Sequence, residues 1–185
     1  MRLWDVASRR ELKSFRTKDN FVFAVAFSPD SLRGISGSGA SLELWDLKTG
    51  AGLRTLTTPR GPRQVFWLSD GRHVMVASES EGFIRTWDVE QGKEVRNFKA
   101  QPGSVELSLS ADGRRAITTG GERESQANRS LRVWDVTTGQ QLLRFDDAAS
   151  GEGYGHGFIA PNGKYAVCAP YAPRPDSHVR VFELK

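Results

Sequence analysis

The amino-acid sequence predicts an all-β chain: a β-propeller of four-stranded antiparallel blades, about four blades plus a partial one. The first observation is a repeat, because Trp4, Trp45, Trp87 and Trp134 are each followed by aspartate and Phe182 occupies the same place in a fifth copy. The intervals are 41, 42, 47 and 48 residues. The second observation is that no stretch shows the sustained 3.6-residue periodicity of an amphipathic helix. A four-stranded unit that repeats every ~40–45 residues is typical of a propeller blade.

Each tryptophan closes a short strand, the third of its unit; the strands of a unit are labelled a to d. Residues 42–45, Leu-Glu-Leu-Trp, are one example of this strand c. Five residues after the tryptophan come Gly50, Gly92 and Gly139, and glycine accepts the positive φ of a tight hairpin, so strand d follows directly. Arg9 takes this place in the first copy, which predicts a looser turn or one of another type there.

Strands a and b precede each tryptophan and are joined by turns rich in proline, aspartate or asparagine, and glycine. Such residues favour turns because they fix φ, bond their own backbone or accept positive φ. The four turns lie at residues 28–31, 69–71, 110–113 and 160–163. Together the elements predict one propeller domain over residues 1–185. It comprises a partial blade of strands c and d (1–17), blades at 21–57, 63–99 and 104–146, and a partial blade at 154–184.

The Trp-Asp pairs, the Phe-Ser-Pro-Asp turn at 27–30 and the Asp-x-x-x-Gly turn after the tryptophans resemble the WD-repeat family, in detail its degenerate bacterial copies. The resemblance covers essentially the whole chain. It implies a non-catalytic propeller that mediates protein–protein interaction. The positions that carry the repeat signature are Trp4, Asp5, Trp45, Asp46, Trp87, Asp88, Trp134, Asp135 and Phe182.

The chain departs from the family pattern inside each blade. Family blades carry a histidine about eleven residues before the turn proline, which joins a buried network with a serine or threonine, a turn aspartate and the tryptophan. The histidine positions here hold Lys18, Thr58, Ala100 and Ser150, and the turn-aspartate positions hold Gly39, Glu81, Asn128 and Asp176. We therefore expect the polar network to be absent or rewired in every blade, with apolar packing between sheets as the main source of stability.

Composition excludes several classes of protein. The 185 residues are 38% hydrophobic and carry a net charge of +4, which suits a globular chain, and no apolar run approaches the length of a membrane-spanning helix. The single cysteine, Cys168, has no disulfide partner. Because the N-terminus lacks the apolar stretch of a signal peptide, we expect a cytoplasmic protein with no membrane partner.

The sequence gives no catalytic, cofactor-binding or metal-binding residues. The three histidines have no metal-ligand spacing, and a thiol on strand b, Cys168, is expected to be structural. His156 has no identifiable acid–base partner in the sequence. The alternating glycines between 151 and 157 lack the Gly-Lys-Ser/Thr of a phosphate loop, so we expect a flexible connection between strands d and a.

Recognition is expected at the rim that carries the b–c and d–a loops, because loops on a rigid scaffold tend to bind partners. The proposed contact residues are Lys18, Phe21, Arg60, Arg63, Arg123, Arg129, Tyr171 and Arg174. Their cationic bias predicts an acidic protein or peptide partner. Nucleic-acid or anionic-surface binding through the scattered arginines is the alternative, and a structural or regulatory segment of a larger signalling protein is the third.

The strand count poses a question of assembly. The order c-d, three times a-b-c-d, then a-b-c leaves one strand c beyond what ring closure needs. Three outcomes are open: a part of a longer ring, a homodimer formed by pairing of half-rings, or a strained four-bladed closure. We expect the first, because a start inside strand c is an arbitrary place for a propeller to begin.

Overall fold

A computed structural model describes residues 1–78, 82–121, 130–146, 153–170, 175 and 177–185. Every regular element in these ranges is a β-strand. The strands are β1 (Arg2–Asp5), β2 (Arg10–Ser14), β3 (Val22–Phe27), β4 (Arg33–Ser38), β5 (Ser41–Asp46), β6 (Gly52–Thr57), β7 (Pro62–Trp67), β8 (His73–Ser78), β9 (Phe83–Asp88), β10 (Lys93–Lys99), β11 (Ser104–Leu109), β12 (Arg115–Gly121), β13 (Ser130–Asp135), β14 (Gln141–Asp146), β15 (Tyr154–Ile159), β16 (Tyr165–Pro170) and β17 (Arg180–Glu183).

The strands form five sheets in which chain neighbours are also sheet neighbours. The sheets are β1-β2, β3-β4-β5-β6, β7-β8-β9-β10, β11-β12-β13-β14 and β15-β16-β17. The pairing is antiparallel, for example with Ile35 of β4 opposite Leu44 of β5. The all-β architecture of four-stranded antiparallel sheets predicted from the tryptophan spacing is confirmed.

The chain consists of two compact units. The first comprises Met1–Val76 and Thr86–Arg96, and the second comprises Ala77–Arg85 and Asn97–Lys185. In the first unit, Ile35 and Leu44 of one sheet pack with Val65 and Val76 of the next. In the second unit, Ile117 and Val133 belong to a core that also includes Ile159 and Cys168. Burial of these side chains stabilises the sheets at roughly 25 cal/mol per Å² of apolar surface removed from water.

An arginine at the start of strand b ties neighbouring sheets together within each unit. In the first unit, Arg33 donates to the carbonyl oxygen of Gly71 at 2.7 Å, forms an ion pair with Glu90, and lies 5.4 Å from the ring centre of Trp67. In the second unit, Arg115 donates to the carbonyl oxygen of Gly163 at 3.0 Å. Both bonds reach the a–b turn of the following sheet. An arginine at the start of strand b therefore connects two successive sheets in the same way in each unit.

The aspartate of each Trp-Asp pair caps the hairpin turn that follows it. The Oδ1 atom of Asp46 accepts from the backbone N–H of Thr49 at 2.6 Å and from its hydroxyl at 2.8 Å. Asp135 accepts from Thr138 in the same way, and Asp5 accepts from Ser8. The repeated aspartates therefore shape turns, as an Asx-type interaction does.

The structure bears on two expectations drawn from glycine positions. Arg9 has a φ of 56°, so it adopts the left-handed conformation that Gly50 shows at 81°. Asp5 caps that turn through Ser8 as Asp46 caps the second through Thr49. The expected flexible connection is wrong for Gly155 and Gly157, which lie in strand β15. A Cβ at 157 would stand 2.5 Å from Cγ2 of Thr119, so the close approach of this side chain accounts for the glycine.

Candidate interaction surface

The tryptophan side chains anchor the sheets through a hydroxyl on strand b. Nε1 of Trp45 donates to Oγ of Ser36 at 2.9 Å, and Nε1 of Trp134 donates to Oγ1 of Thr118 at 2.9 Å. Both bonds are buried. The wider network of the family, which would include a histidine, is thus reduced to one indole–hydroxyl bond in these two sheets.

The other two sheets lack this bond for a reason visible in strand b. The position of Ser36 and Thr118 holds Val76 in the third sheet, and the buried Nε1 of Trp87 has no hydrogen-bond partner within the described ranges. In the last sheet the pair is Cys168 with Phe182, which needs no hydrogen bond. Two sheets therefore have both the indole donor and the hydroxyl acceptor, and the last sheet has neither. Only the third sheet has the indole without the hydroxyl.

Side chains two residues before the tryptophan hold the preceding d–a loop. The carboxylate of Glu43, which is buried, accepts from the backbone N–H of Lys18 at 3.4 Å. Arg132, at the equivalent place, donates instead to the carbonyl oxygen of Ala100. Burial lowers the pKa of Arg132, and the nearby Arg144 lowers it further. A side chain on strand c thus replaces the missing loop histidine as the tie between loop and sheet.

The ion pair between Arg72 and Asp88 lowers the pKa of the aspartate. Nε of Arg72 donates to Oδ2 of Asp88 at 2.7 Å, and Nη2 lies 2.6 Å from the same oxygen. The hydrogen bond from Arg72, together with backbone N–H groups of Gln91 and Glu90, lowers the pKa of Asp88 from 3.8 to about 2. The carboxyl therefore stays ionised throughout the neutral and mildly acidic range.

Three loops of the first unit meet at one rim. The β6–β7 loop bonds to the β4–β5 turn, since the N–H of Thr58 donates to the carbonyl oxygen of Ala40 at 2.8 Å. A Cβ at Gly39 would stand 2.5 Å from Oδ2 of Asp19, so the β2–β3 loop also touches that turn. A Cβ at Gly61 would stand 2.7 Å from the carbonyl oxygen of Gly39. Such close approaches explain why glycines occupy these turns.

This rim carries an exposed cluster of aromatic and cationic side chains. The rings of Phe21 and Phe23 stack with centres 6.4 Å apart, and the guanidinium of Arg63 lies 4.2 Å from the ring centre of Phe23. Phe21 is 71% exposed. Lys18 and Arg60 are exposed in the neighbouring loops, and Nζ of Lys18 donates to Oγ1 of Thr55 at 3.2 Å. We call Lys18, Phe21, Phe23, Arg60 and Arg63 the rim patch.

The structure thus brings together four of the eight predicted contact residues, namely Lys18, Phe21, Arg60 and Arg63. The other four lie outside the described residues, and they are Arg123, Arg129, Tyr171 and Arg174. Phe23, which links Phe21 to Arg63, was missed by the sequence reasoning. Its signal was the alternation Phe21-Val22-Phe23, which places two aromatic rings on one side of the chain.

Ionisable side chains outside the rim patch form ion pairs, and His73 links two of these pairs, since its Nε2 lies 4.0 Å from Oδ2 of Asp88. Nδ1 of His156 lies 2.8 Å from the carboxylate of Glu106, so this histidine has the partner that the sequence did not identify. The pair is exposed. Nδ1 of His73 lies 2.6 Å from Oδ2 of Asp70 in the β7–β8 turn. Within the described ranges, no three histidine, cysteine or acidic side chains gather where they could hold a metal ion.

Cys168 is buried on β16, as expected for a structural thiol. No helix long and apolar enough to cross a bilayer occurs in the described part of the chain.

Comparison with known proteins agrees with the repeat. Residues 9–46 match the family model described as "WD domain, G-beta repeat". The curated WD repeat-containing protein 3 of Homo sapiens is 28% identical over 115 residues, which are 62% of this chain and 11% of that protein. The solved structure titled Kuenenia stuttgartiensis Hydrazine Synthase superposes with a TM-score of 0.83 at 17% identity, over 100% of this chain and 56% of that one. The chain therefore spans about a tenth of the curated relative and about half of the solved chain, and the predicted class of propeller blades is confirmed.

Proposed function

Because this chain is a protein of the WD-repeat family, we propose that it is a non-catalytic scaffold that binds an acidic segment of a partner protein through the rim patch. One observation supports this proposal above the others. The guanidinium of Arg63 lies 4.2 Å from the ring centre of Phe23, and Phe21 stacks beside it in an exposed position.

The composition of the rim patch is that of a binding hot spot. Aromatic residues and arginine are enriched at the centres of protein interfaces and contribute most of their binding energy. Stacking on Phe23 orients the plane of the Arg63 guanidinium before a partner arrives, which reduces the entropy lost on binding. The planar donor fork of arginine matches a carboxylate in a bidentate arrangement, which lysine does not.

The charge of the rim patch favours an acidic partner. Lys18, Arg60 and Arg63 are cationic, the loops that carry the patch contain one acidic residue, Asp19, and the buried carboxylate of Glu43 contacts the backbone of Lys18. The bond from Lys18 goes to a neutral hydroxyl, that of Thr55, so it does not offset the positive charge. Complementary charge speeds encounter and selects among partners.

Recognition suits this surface better than catalysis does. The rim patch combines two rings with three cations and contains no pairing of a nucleophile with a base. The superposed solved structure carries the name of an enzyme, hydrazine synthase, but at 17% identity the likeness concerns the fold. The rigid platform beneath the patch comes from the loop contacts at Gly39, Ala40 and Gly61.

The proposal is tested by fluorescence anisotropy with two labelled probes, a glutamate-rich peptide that contains tyrosine and a single-stranded DNA oligonucleotide. We expect the peptide to bind the unaltered protein and Arg63→Glu to weaken that binding at least about tenfold, since a bidentate charge-assisted contact becomes a repulsion. Lys48→Glu is the matched control, because Lys48 is an exposed cation on the β5–β6 turn of the same unit. Equal weakening by both variants would show that only net charge matters and would refute the proposal.

The DNA probe decides between the proposal and its nucleic-acid alternative. Phosphate binding requires an affinity that falls steeply between about 50 and about 200 mM salt, by orders of magnitude for a many-contact site. Stronger binding of DNA than of the peptide, with that salt dependence, would favour the alternative.

Light scattering with mass measurement on the same samples decides whether a homodimer of half-rings forms, as the strand count allows.

A further inference from the structure

Two arginines lie directly opposite each other on neighbouring strands of the fourth sheet. Arg132 of β13 is the cross-strand partner of Arg144 of β14. Like charges in such positions destabilise a sheet, because the Cβ atoms of opposed residues stand only about 4.5–5.5 Å apart. The effect is visible in Arg132, whose pKa is lowered by burial and lowered further by Arg144. The two residues, which we call the arginine pair, therefore concentrate positive charge at one place in the second unit.

The hydrogen bonds of the arginine pair leave two donor groups unused. Nε of Arg132 donates to the hydroxyl of Ser130 at 2.9 Å and Nη1 donates to the carbonyl oxygen of Ala100, so both acceptors are neutral. Nε of Arg144 donates to Oδ1 of Asp146 at 2.8 Å, and Nη2 lies 2.8 Å from the same oxygen. Within the described ranges the pair bonds to this one carboxylate, and Nη2 of Arg132 and Nη1 of Arg144 have no hydrogen-bond partner.

The equivalent place in the second sheet carries both an acid and a base. There Glu43 of strand c lies opposite Thr55 of strand d. The loop residue Lys18 bonds to both of them, because its backbone N–H donates to the carboxylate and its Nζ donates to the hydroxyl at 3.2 Å. In the fourth sheet Ala100 holds the loop position of Lys18 and offers no charged group. The fourth sheet thus has two arginines where the second has a carboxylate and a hydroxyl, with no loop side chain to complement them.

The charge and the unused donors of the arginine pair suit an anion that arrives from solvent. The side chain of Arg144 is 43% exposed, so the pair is accessible. One guanidinium group alone matches a planar carboxylate in a bidentate arrangement, as Arg144 already binds Asp146. A phosphate group presents oxygens in several directions, so it can accept from two guanidinium groups at once. Two donors on two different arginines therefore favour phosphate over a further carboxylate.

We propose that the arginine pair is a binding site for a phosphate group, which accepts from Nη2 of Arg132 and from Nη1 of Arg144. The bound anion offsets the repulsion between the two side chains across the β13–β14 ladder, so binding and the stability of the fourth sheet are linked. The arginine pair lies in the second unit and the rim patch in the first, and this proposal does not rest on the proposed function.

The test is an NMR titration of the full ¹⁵N-labelled chain with inorganic phosphate at constant pH and ionic strength. The Nε–H resonances of Arg132 and Arg144, assigned with the variants Arg132→Lys and Arg144→Gln, are followed. We expect saturable shifts of both resonances that exceed those of the other arginines. Acetate, the carboxylate probe, should bind at least about fivefold more weakly, because it cannot serve both guanidinium groups equally well.

A second titration with O-phospho-L-serine identifies the source of the phosphate group. Tighter binding of O-phospho-L-serine than of inorganic phosphate would assign the site to an esterified phosphate. The reverse order would assign it to the free ion. Both results support the arginine pair as a phosphate site, provided that the Nε–H resonances of Arg132 and Arg144 report the binding.

Two variants separate a specific site from general attraction to positive charge. Arg144→Gln removes one guanidinium group at an exposed position and should weaken phosphate binding at least about tenfold, since a charge-assisted contact is lost. Lys164→Gln is the matched control, because Lys164 is an exposed cation beside the last a–b turn of the same unit, and it should leave binding unaltered. Absence of a saturable shift, acetate binding as tight as that of phosphate, or equal weakening by the two variants would each overturn the proposal. None of these outcomes bears on the rim patch, whose probes and variants are different.

Discussion

The indole N–H of Trp45 donates to the hydroxyl of Ser36 at 2.9 Å in the buried part of a four-stranded sheet. The same bond joins Trp134 to Thr118, and it is lost where Val76 replaces the hydroxyl. A tryptophan on strand c and a hydroxyl on strand b thus form the smallest unit of the polar network that a WD-repeat blade normally builds. It fastens the middle two strands of the sheet without the loop histidine.

Removal of the acceptor should destabilise the first unit. We expect Ser36→Val to lower the free energy of unfolding by about 1–3 kcal/mol, because the buried indole N–H is left without a partner. Urea unfolding followed by tryptophan fluorescence measures the loss. In a Trp45→Phe background the same substitution should cost about 1 kcal/mol less. An unchanged cost in that background would mean that the bond contributes nothing.

Restoring the acceptor in the third sheet should have the opposite effect. Val76→Thr offers Nε1 of Trp87 a hydroxyl at the position that Thr118 holds opposite Trp134. We expect stability to be unchanged or raised by up to about 1 kcal/mol. Val133→Thr is the control, because it buries a hydroxyl at a fully buried site and should cost about 1–3 kcal/mol. Equal losses in the two variants would contradict the account.

The ion pair between Arg72 and Asp88 should make stability depend on pH in the acid range. The folded pKa of Asp88, about 2, lies below its usual value of 3.8. The pair therefore stabilises the fold above about pH 4, and the contribution is lost as the pH falls towards 2. We expect the urea midpoint of Asp88→Asn to lie below that of the unaltered chain at pH 7, and the difference to shrink on acidification. Arg72→Gln should behave alike, and a difference that grows as the pH falls would refute this.

The left-handed turn residue Arg9 is a place where stability can be gained. Its φ of 56° is unfavourable for a side chain with a Cβ, and glycine serves at the equivalent places. We expect Arg9→Gly to raise stability by up to about 1 kcal/mol, and Gly50→Ala to lower it by about as much. Thermal unfolding of the two variants checks both signs. A lower melting temperature for Arg9→Gly would show that Arg9 gains more from its surroundings than its backbone loses.

The strands could be predicted well from the sequence. The repeated tryptophans, turn aspartates and glycines mark strand ends and turns, whose conformation depends mainly on neighbouring residues in the chain. The position of Ser36, Val76 and Thr118 could also have been aligned from the repeat alone. The contact between Phe23 and Arg63 could not, since it depends on how closely two sheets approach. The hydrogen bond from the backbone N–H of Lys18 to Glu43 was not predicted for a similar reason. The family's histidine would stand in the loop at position 18, whereas the side chain that makes the contact here comes from strand c.

The position of Arg9 shows a different limit. Residue identity indicated a changed turn, yet Arg9 has the positive φ of the glycines at the equivalent places, and Asp5 caps the turn through Ser8. Exposure was the hardest property to predict. Val25 and Val65 occupy equivalent positions in the repeat, yet only the second is covered by a preceding sheet.

The most direct test of the central claim, that the rim patch binds an acidic partner segment, is NMR mapping of the glutamate-rich tyrosine peptide on the ¹⁵N-labelled chain. The account predicts that the largest shifts fall on residues 18–23 and 60–63, and that the Nε–H resonance of Arg63 moves with them. Shifts centred on the opposite turns, at residues 46–50 and 88–92, or spread over all exposed cations, would contradict it.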